Sequence, residues 1–107
     1  MEVTYKNTKI EKICNNEKKA IREYGIDVAK RLMIAINILE DAMCLKDILQ
    51  MPQYRLHSLV GNLKGIYAMD LGKASGYRLL IIPLDINKER IISNDMSIYT
   101  KTVCVQI

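Results

Sequence analysis

The sequence of 107 residues has few of the side chains that form disulfides or bind metals. Its cysteines, Cys14, Cys44 and Cys104, are odd in number and lack a Cys-x-x-Cys spacing, which argues against a disulfide framework and a zinc site. His57 is the only histidine, so a mixed metal site would have to be assembled from remote parts of the chain. We therefore expect ordinary thiols in a reducing cytoplasm and no metal or other cofactor.

Long apolar segments and common catalytic motifs are also missing. No stretch approaches the roughly 18 residues of a membrane helix, and the first residues carry charge where a signal peptide would be apolar. There is no phosphate-binding glycine loop, no Gly-x-Ser-x-Gly elbow and no internal repeat. Because 107 residues support one hydrophobic core and not two, we expect a single cytoplasmic domain over residues 1–107.

The charge balance is mildly basic, with a formal net charge of +4. A positive balance favours an anionic partner such as nucleic acid or an acidic protein. The excess is small, and solubility alone would explain it equally well.

Helical patterns fill the first half, after a short strand at residues 2–5. Thr8 and Glu11 have the spacing of a capping box, and the apolar spacing that follows predicts one helix ending at Gly25. Asp27 is a candidate cap for a second helix, which Pro52 ends. That helix carries a wide apolar stripe, which predicts burial against both the first helix and a sheet. The stripe comprises Ala29, Leu32, Met33, Ile34, Ala35, Ile36, Ile38, Leu39 and Met43.

Short apolar runs with glycine punctuation follow Pro52 and predict strands. The glycine-rich stretch 72–76 predicts a hairpin loop. The stretch 85–101 is the least clear; Arg90-Ile91-Ile92 is a candidate extension of the sheet and the rest a loop. The grouped pattern predicts an α+β fold, with two N-terminal helices packed on a mainly antiparallel sheet of four to five strands. The predicted strands are residues 54–59, 66–71, 77–84 and 102–107.

Two residues of the predicted strands suggest chemistry. Alternation along residues 54–59 places Arg55 and His57 on one face, and histidine titrates near neutral pH. Arg78 lies in the most apolar strand, where an arginine needs an anion, a carboxylate or an open sheet edge. Two plainer interpretations stay open: a structural histidine, and an internal ion pair of Arg78 with Asp70 or Glu40.

Four further residues are candidates for contacts with nucleic acid. Lys64 follows the histidine strand, and Lys73 lies on the predicted hairpin, where each can contact phosphate. Tyr67 and Tyr77 can stack on unpaired bases, although such tyrosines more often cover a core.

Three segments together resemble the HigB, or plasmid maintenance killer, branch of the RelE/ParE toxin superfamily. They are Tyr54-Arg55-Leu56-His57-Ser58-Leu59-Val60-Gly61, Leu63-Lys64-Gly65-Ile66-Tyr67-Ala68 and Gly76-Tyr77-Arg78-Leu79-Leu80-Ile81. The family places a Leu-His-x-Leu-x-Gly segment before a Gly-aromatic strand and an aromatic-Arg strand. The two preceding helices also agree, so the resemblance spans nearly the whole chain.

The resemblance implies the toxin of a type II toxin-antitoxin system, a ribosome-dependent endoribonuclease that cuts messenger RNA. In such a toxin the ribose 2′-hydroxyl attacks the adjacent phosphate without a metal. It implies His57 as the catalytic histidine and Arg78 as the phosphate-binding arginine, with Lys64 beside them. Arg55, Lys73, Tyr77 and Tyr67 would follow the RNA path. The implied partners are a helix-turn-helix antitoxin resembling HigA, the ribosome and messenger RNA.

Two other functions stay open at the level of sequence. The superfamily also contains ParE-like proteins that inhibit gyrase without cleaving anything, and one fold serves both. A third interpretation is a weakened relative that only binds its antitoxin. It is favoured by Val60 where the family often has a lysine, by Ala68 and Asp70 at positions that are often basic, and by the absence of the family's tail after the last strand.

Overall fold

The computed structural model describes residues 1–91 and 96–107. Within these residues the chain forms a five-stranded sheet and five α-helices, four of which lie between the first and second strands. The elements are β1 (Glu2–Thr4), α1 (Thr8–Cys14), α2 (Glu17–Tyr24), α3 (Ile26–Asp41), α4 (Leu45–Leu49), β2 (His57–Ser58), β3 (Tyr67–Asp70), β4 (Arg78–Leu84), α5 (Ile98–Lys101) and β5 (Cys104–Gln106).

The sheet has the strand order β1-β5-β4-β3-β2. Only the β1–β5 pair is parallel, and the other three pairs are antiparallel. The predicted α+β class and mainly antiparallel sheet are therefore confirmed. No helix among the described residues is long and apolar enough to span a membrane.

The first predicted helix is in fact two helices, and its predicted cap is wrong. The side chain of Asn7, not Thr8, accepts the hydrogen bond from the Ile10 amide at the start of α1. Asn16 then caps α2 by accepting from the Lys19 amide at 3.2 Å. An asparagine side chain competes with the helical backbone for hydrogen bonds. The first helix therefore ends, and a new helix begins after Asn16.

The second predicted helix also starts and ends differently. Gly25, at φ +86°, ends α2 and precedes α3, whereas Asp27 lies inside the first turn and pairs with Arg31. The helix stops at Asp41, and the short α4 follows before Pro52. Its predicted stripe was too wide, since Ile34 and Met43 are exposed.

The predicted strand at residues 54–59 is reduced to His57 and Ser58. Pro52 opens a 3₁₀ turn that ends at Tyr54, and Arg55 has left-handed backbone angles with φ +44°. Two-residue alternation therefore does not extend from His57 back to Arg55. The prediction that both lie on one face of a strand is wrong.

The stretch 85–101 contains more structure than a loop. Arg90 bridges Leu84, and the Ile91 amide donates to the Pro83 carbonyl at 3.2 Å, so this segment does extend the sheet. Ile92, the third residue of the predicted extension, lies outside the described residues. Helix α5 follows, which the sequence pattern did not predict.

The core lies between the helices and one face of the sheet, here called the core face. Alternate strand residues point to it and join one cluster with buried helix residues such as Leu32, Ile36 and Leu39. The core face comprises Tyr67, Met69, Leu79, Ile81 and Val105. The opposite side, here called the His57 face, carries the intervening residues His57, Ala68, Asp70, Arg78 and Leu80.

Candidate functional site

The position of His57 is set by strand β2, at one edge of the sheet. Its partner in the neighbouring strand is Ala68, and the ring is half-buried. The ring Nδ1 lies 2.6 Å from the carbonyl oxygen of Arg55. Because a carbonyl can only accept, Nδ1 must carry the hydrogen, which leaves Nε2 of a neutral ring as the free proton acceptor.

Arg78 lies on the same face as His57, two strands away. His57, Ala68 and Leu80 form one row across the sheet, and Arg78 belongs to the next row, opposite Asp70. With neighbouring strands about 4.8 Å apart, the backbones of His57 and Arg78 are separated by roughly 12 Å. Residues of one face at this spacing can contact adjacent parts of one extended ligand.

The described residues do not contain the ion pair of Arg78 that the sequence left open as an alternative. The side chain is exposed and forms no ion pair within residues 1–91 and 96–107, with Asp70 or with Glu40. Asp70 instead binds Arg55, whose Nε lies 3.5 Å from the carboxylate. The cationic charge of Arg78 is thus free for an external anion, whereas that of Arg55 is largely compensated.

Lys64 lies in the turn between β2 and β3, and the structure adds a neighbour that sequence reasoning missed. The guanidinium of Arg90 donates to the Lys64 carbonyl at 3.5 Å. Arg90 bridges Leu84 and therefore lies on the His57 face. The sequence did predict that residues 90–92 extend the sheet. It could not predict that Arg90 reaches Lys64, because the pairing of Arg90 with Leu84 depends on how residues 85–90 fold.

The predicted base-stacking tyrosines both belong to the other side of the sheet. Tyr67 is buried on the core face, its ring edge-to-face with Tyr99 at 5.8 Å, and burial raises the pKa of its hydroxyl. Its ring cannot stack on a base in this arrangement. Tyr77 is half-exposed but packs edge-to-face on Tyr24 of α2 at 5.6 Å.

Lys73 is exposed on the hairpin between β3 and β4. The hairpin and Lys64 lie at opposite ends of β3, so Lys73 and Lys64 are not part of one cluster. The structure therefore brings His57, Arg78 and Arg90 to one face, with the Lys64 carbonyl bound by Arg90, and leaves Lys73, Tyr67 and Tyr77 outside it. In the same described residues no group of three or more His, Cys, Asp or Glu side chains is placed to hold a metal ion.

Comparison with known proteins gives no match: the chain matches no family model, no curated protein and no solved structure. The function must therefore be argued from the site itself.

Proposed function

We propose that the protein is a type II toxin that cleaves messenger RNA on the ribosome, as the resemblance to HigB toxins implies. The observation that carries the proposal is the His57 face. It joins a histidine whose ring is oriented by the Arg55 carbonyl with an arginine, Arg78, that has no ion pair in the described residues. A general base and an unpaired cation within reach of one extended chain suit cleavage of a phosphodiester.

The proposed chemical step uses a ribose hydroxyl of the RNA, side chains of this chain and water. Nε2 of His57 removes the proton from a ribose 2′-hydroxyl, and the 2′-oxygen attacks the adjacent phosphorus. The bond from phosphorus to the 5′-oxygen breaks, leaving a 2′,3′-cyclic phosphate, while water supplies the proton for the departing 5′-oxygen. The hydrogen bond from Nδ1 to the Arg55 carbonyl stabilises the imidazolium that forms, since it keeps a donor paired with an acceptor throughout.

Negative charge grows on the phosphate oxygens as the new bond forms. Arg78 can bind two of these oxygens at once, because its guanidinium is planar and has parallel donors. Arg90 lies opposite Leu84, toward the other end of β4, and binds the Lys64 carbonyl, so this pair of cationic residues suits a phosphate further along the RNA. Arg55 has a positioning role in this proposal, because its carbonyl binds the His57 ring while its side chain pairs with Asp70.

The proposal is tested by inducing the chain in bacteria and mapping the 5′ ends of transcripts. The parent is compared with His57→Ala, Arg78→Ala and Arg22→Ala; Arg22 is an exposed arginine on α2 and serves as the matched control. We expect the parent and the control to arrest growth with cut transcripts. The His57 variant should cleave about 10²- to 10⁴-fold more slowly, as for loss of a general base.

Other outcomes contradict the proposal and identify its alternatives. Growth arrest with intact transcripts and blocked DNA replication would indicate a gyrase inhibitor of the ParE kind. If the parent does not arrest growth but binds a helix-turn-helix antitoxin resembling HigA, the chain is a non-cleaving relative. Equal thermal unfolding of all variants shows that loss of cleavage is not loss of fold.

A further inference from the structure

The carboxylate of Asp70 is nearly buried on the His57 face. Only 12% of its side chain is exposed, and a carboxylate so enclosed needs a cation or hydrogen-bond donors beside it. Arg78 is its direct partner across β3 and β4, yet the cation that pairs with it is Arg55, whose Nε lies 3.5 Å from the carboxylate. Asp70 therefore ties the segment that precedes β2 to the face of β3.

Arg55 has a backbone conformation that arginine seldom adopts. Its angles are φ +44° and ψ +47°, in the left-handed region, where the Cβ of an L-residue lies too close to the backbone. Its amide donates to the Pro52 carbonyl at 3.1 Å, which fixes the backbone on one side. The ion pair with Asp70 fixes the side chain, so Arg55 is anchored at two points around its unfavourable angles.

The left-handed turn determines where the Arg55 carbonyl points. In a continuous strand this carbonyl would lie in the plane of the sheet, whereas the side chain of His57 projects from the face. The turn brings the carbonyl oxygen to 2.6 Å from Nδ1 of the ring, and this contact keeps the hydrogen on Nδ1. The contacts of Arg55 with Asp70 and with His57 thus connect a buried carboxylate to the tautomer of the histidine.

We propose that Asp70 is a positioning residue that sets the tautomer of His57 through the backbone of Arg55. Without the ion pair, Arg55 leaves the left-handed region and its carbonyl moves away from Nδ1. The neutral ring then takes the tautomer that a free histidine side chain prefers, with the hydrogen on Nε2, and Nε2 can no longer accept a proton. The effect on RNA cleavage rests on the proposed function, whereas the effect on the tautomer does not.

His57 is the only histidine, so its tautomer can be measured without assigning other rings. Long-range ¹H–¹⁵N correlation spectra of the full chain without a histidine tag give the ratio of Nδ1–H to Nε2–H from the ring nitrogen shifts. They are recorded at about pH 8.5, above the usual titration range of imidazole. We expect Nδ1–H to predominate in the parent. Asp70→Ala should lower the ratio roughly tenfold, the factor by which residues other than glycine avoid left-handed angles.

A second substitution separates the backbone from the charge. Glycine adopts left-handed angles freely, so Asp70→Ala combined with Arg55→Gly should restore the Nδ1–H tautomer, although it removes still more side-chain contacts. Asp70→Ala combined with Arg55→Ala is the matched control and should keep the low ratio, because the two double variants differ by one Cβ. Should Asp70→Ala not fold, Asp70→Asn keeps the shape of the side chain without its charge and should shift the ratio in the same direction. An unchanged ratio in the Asp70 variants, or no restoration by glycine, overturns the inference.

Cleavage of transcripts is the second readout. In Asp70→Ala the kcat should fall about tenfold with the tautomer ratio. KM should not rise, because the freed Arg55 adds positive charge for RNA. The variant that also carries Arg55→Gly should recover kcat, and a kcat that follows thermal stability instead of the tautomer contradicts the positioning role. If the tautomers respond as expected but the parent leaves transcripts intact, the positioning role stands and the proposed nuclease activity fails.

Discussion

The two faces of the sheet use alternate residues of the same strand for different purposes. Along β4, Leu79 and Ile81 enter the core, whereas Arg78 and Leu80 point away from it and are exposed. Stability and candidate chemistry are thus separated by one residue, not by one region. Substitutions at neighbouring positions should therefore have very different effects on stability, and measuring them tests whether the two faces differ.

The largest effect is expected from Ile81→Ala on the core face. Ile81 is fully buried, so the change leaves a cavity and should reduce the free energy of unfolding by about 2–5 kcal/mol. Its neighbour Leu80 is 42% exposed, and Leu80→Ala should cost about 1 kcal/mol or less. Urea unfolding of both variants checks the difference; equal losses would mean that the two faces are not distinct.

A smaller loss is expected at the hairpin that sets the register between β3 and β4. Gly72 has φ +89°, and a Cβ there would lie 2.8 Å from Nε of Arg31. Gly72→Ala should therefore cost about 2 kcal/mol, because it adds displacement of Arg31 to left-handed strain. Gly76, at φ +75° with open space around it, is the matched control, and Gly76→Ala should cost about 1 kcal/mol. Thermal unfolding ranks the stability of the two variants. A reversed order would mean that displacement of Arg31 does not destabilise the Gly72 variant.

On the His57 face, Asp70→Asn should change charge more than stability. The change frees Arg55, so binding to single-stranded RNA should tighten, and the slope of log affinity against log salt should steepen by up to about 0.7. Asp27→Asn breaks the exposed pair with Arg31 on α3 and should leave RNA binding unchanged. Fluorescence anisotropy with a labelled oligonucleotide measures both, and an identical response would show that Arg55 does not contribute to that face.

The smallest effect concerns the buried thiol of Cys14 at the end of α1. Burial stabilises the neutral form of Cys14 and raises its pKa to about 11, so at pH 8 only about one thiol in a thousand is ionised. Cys44 is half-buried and should react with a thiol reagent far sooner. The reactivity of Cys14 in the folded chain should rise about tenfold with each pH unit and level off only near pH 11. Equal labelling of both cysteines at pH 8 would contradict the buried position of Cys14.

Much of the fold could be predicted from the sequence, because helical and strand periodicities are local properties. The errors arise where a few polar or constrained residues redirect the chain. Asn16 caps a new helix inside a pattern that otherwise continues, and Pro52 turns the following residues into a 3₁₀ turn that shortens β2. Helix α5 has only four residues and no repeating pattern to reveal it.

The candidate site depended on information that periodicity does not carry. The sequence singled out His57 and Arg78, but only the strand order and the register of the strands show that they share a face. It also could not show that Asp70 would pair with Arg55, or that Arg90 would reach the Lys64 carbonyl. Tyr67 was an aromatic candidate by type, and its burial against Tyr99 follows from packing alone.

The pairing of the first strand with the last has a consequence for synthesis. Residues 2–4 leave the ribosome about a hundred residues before their partners, residues 104–106. The sheet therefore cannot close while most of the chain is still being made, and contacts so distant in sequence also slow folding. A protein proposed to cut messenger RNA would thus complete its own sheet only after residue 106 had left the ribosome.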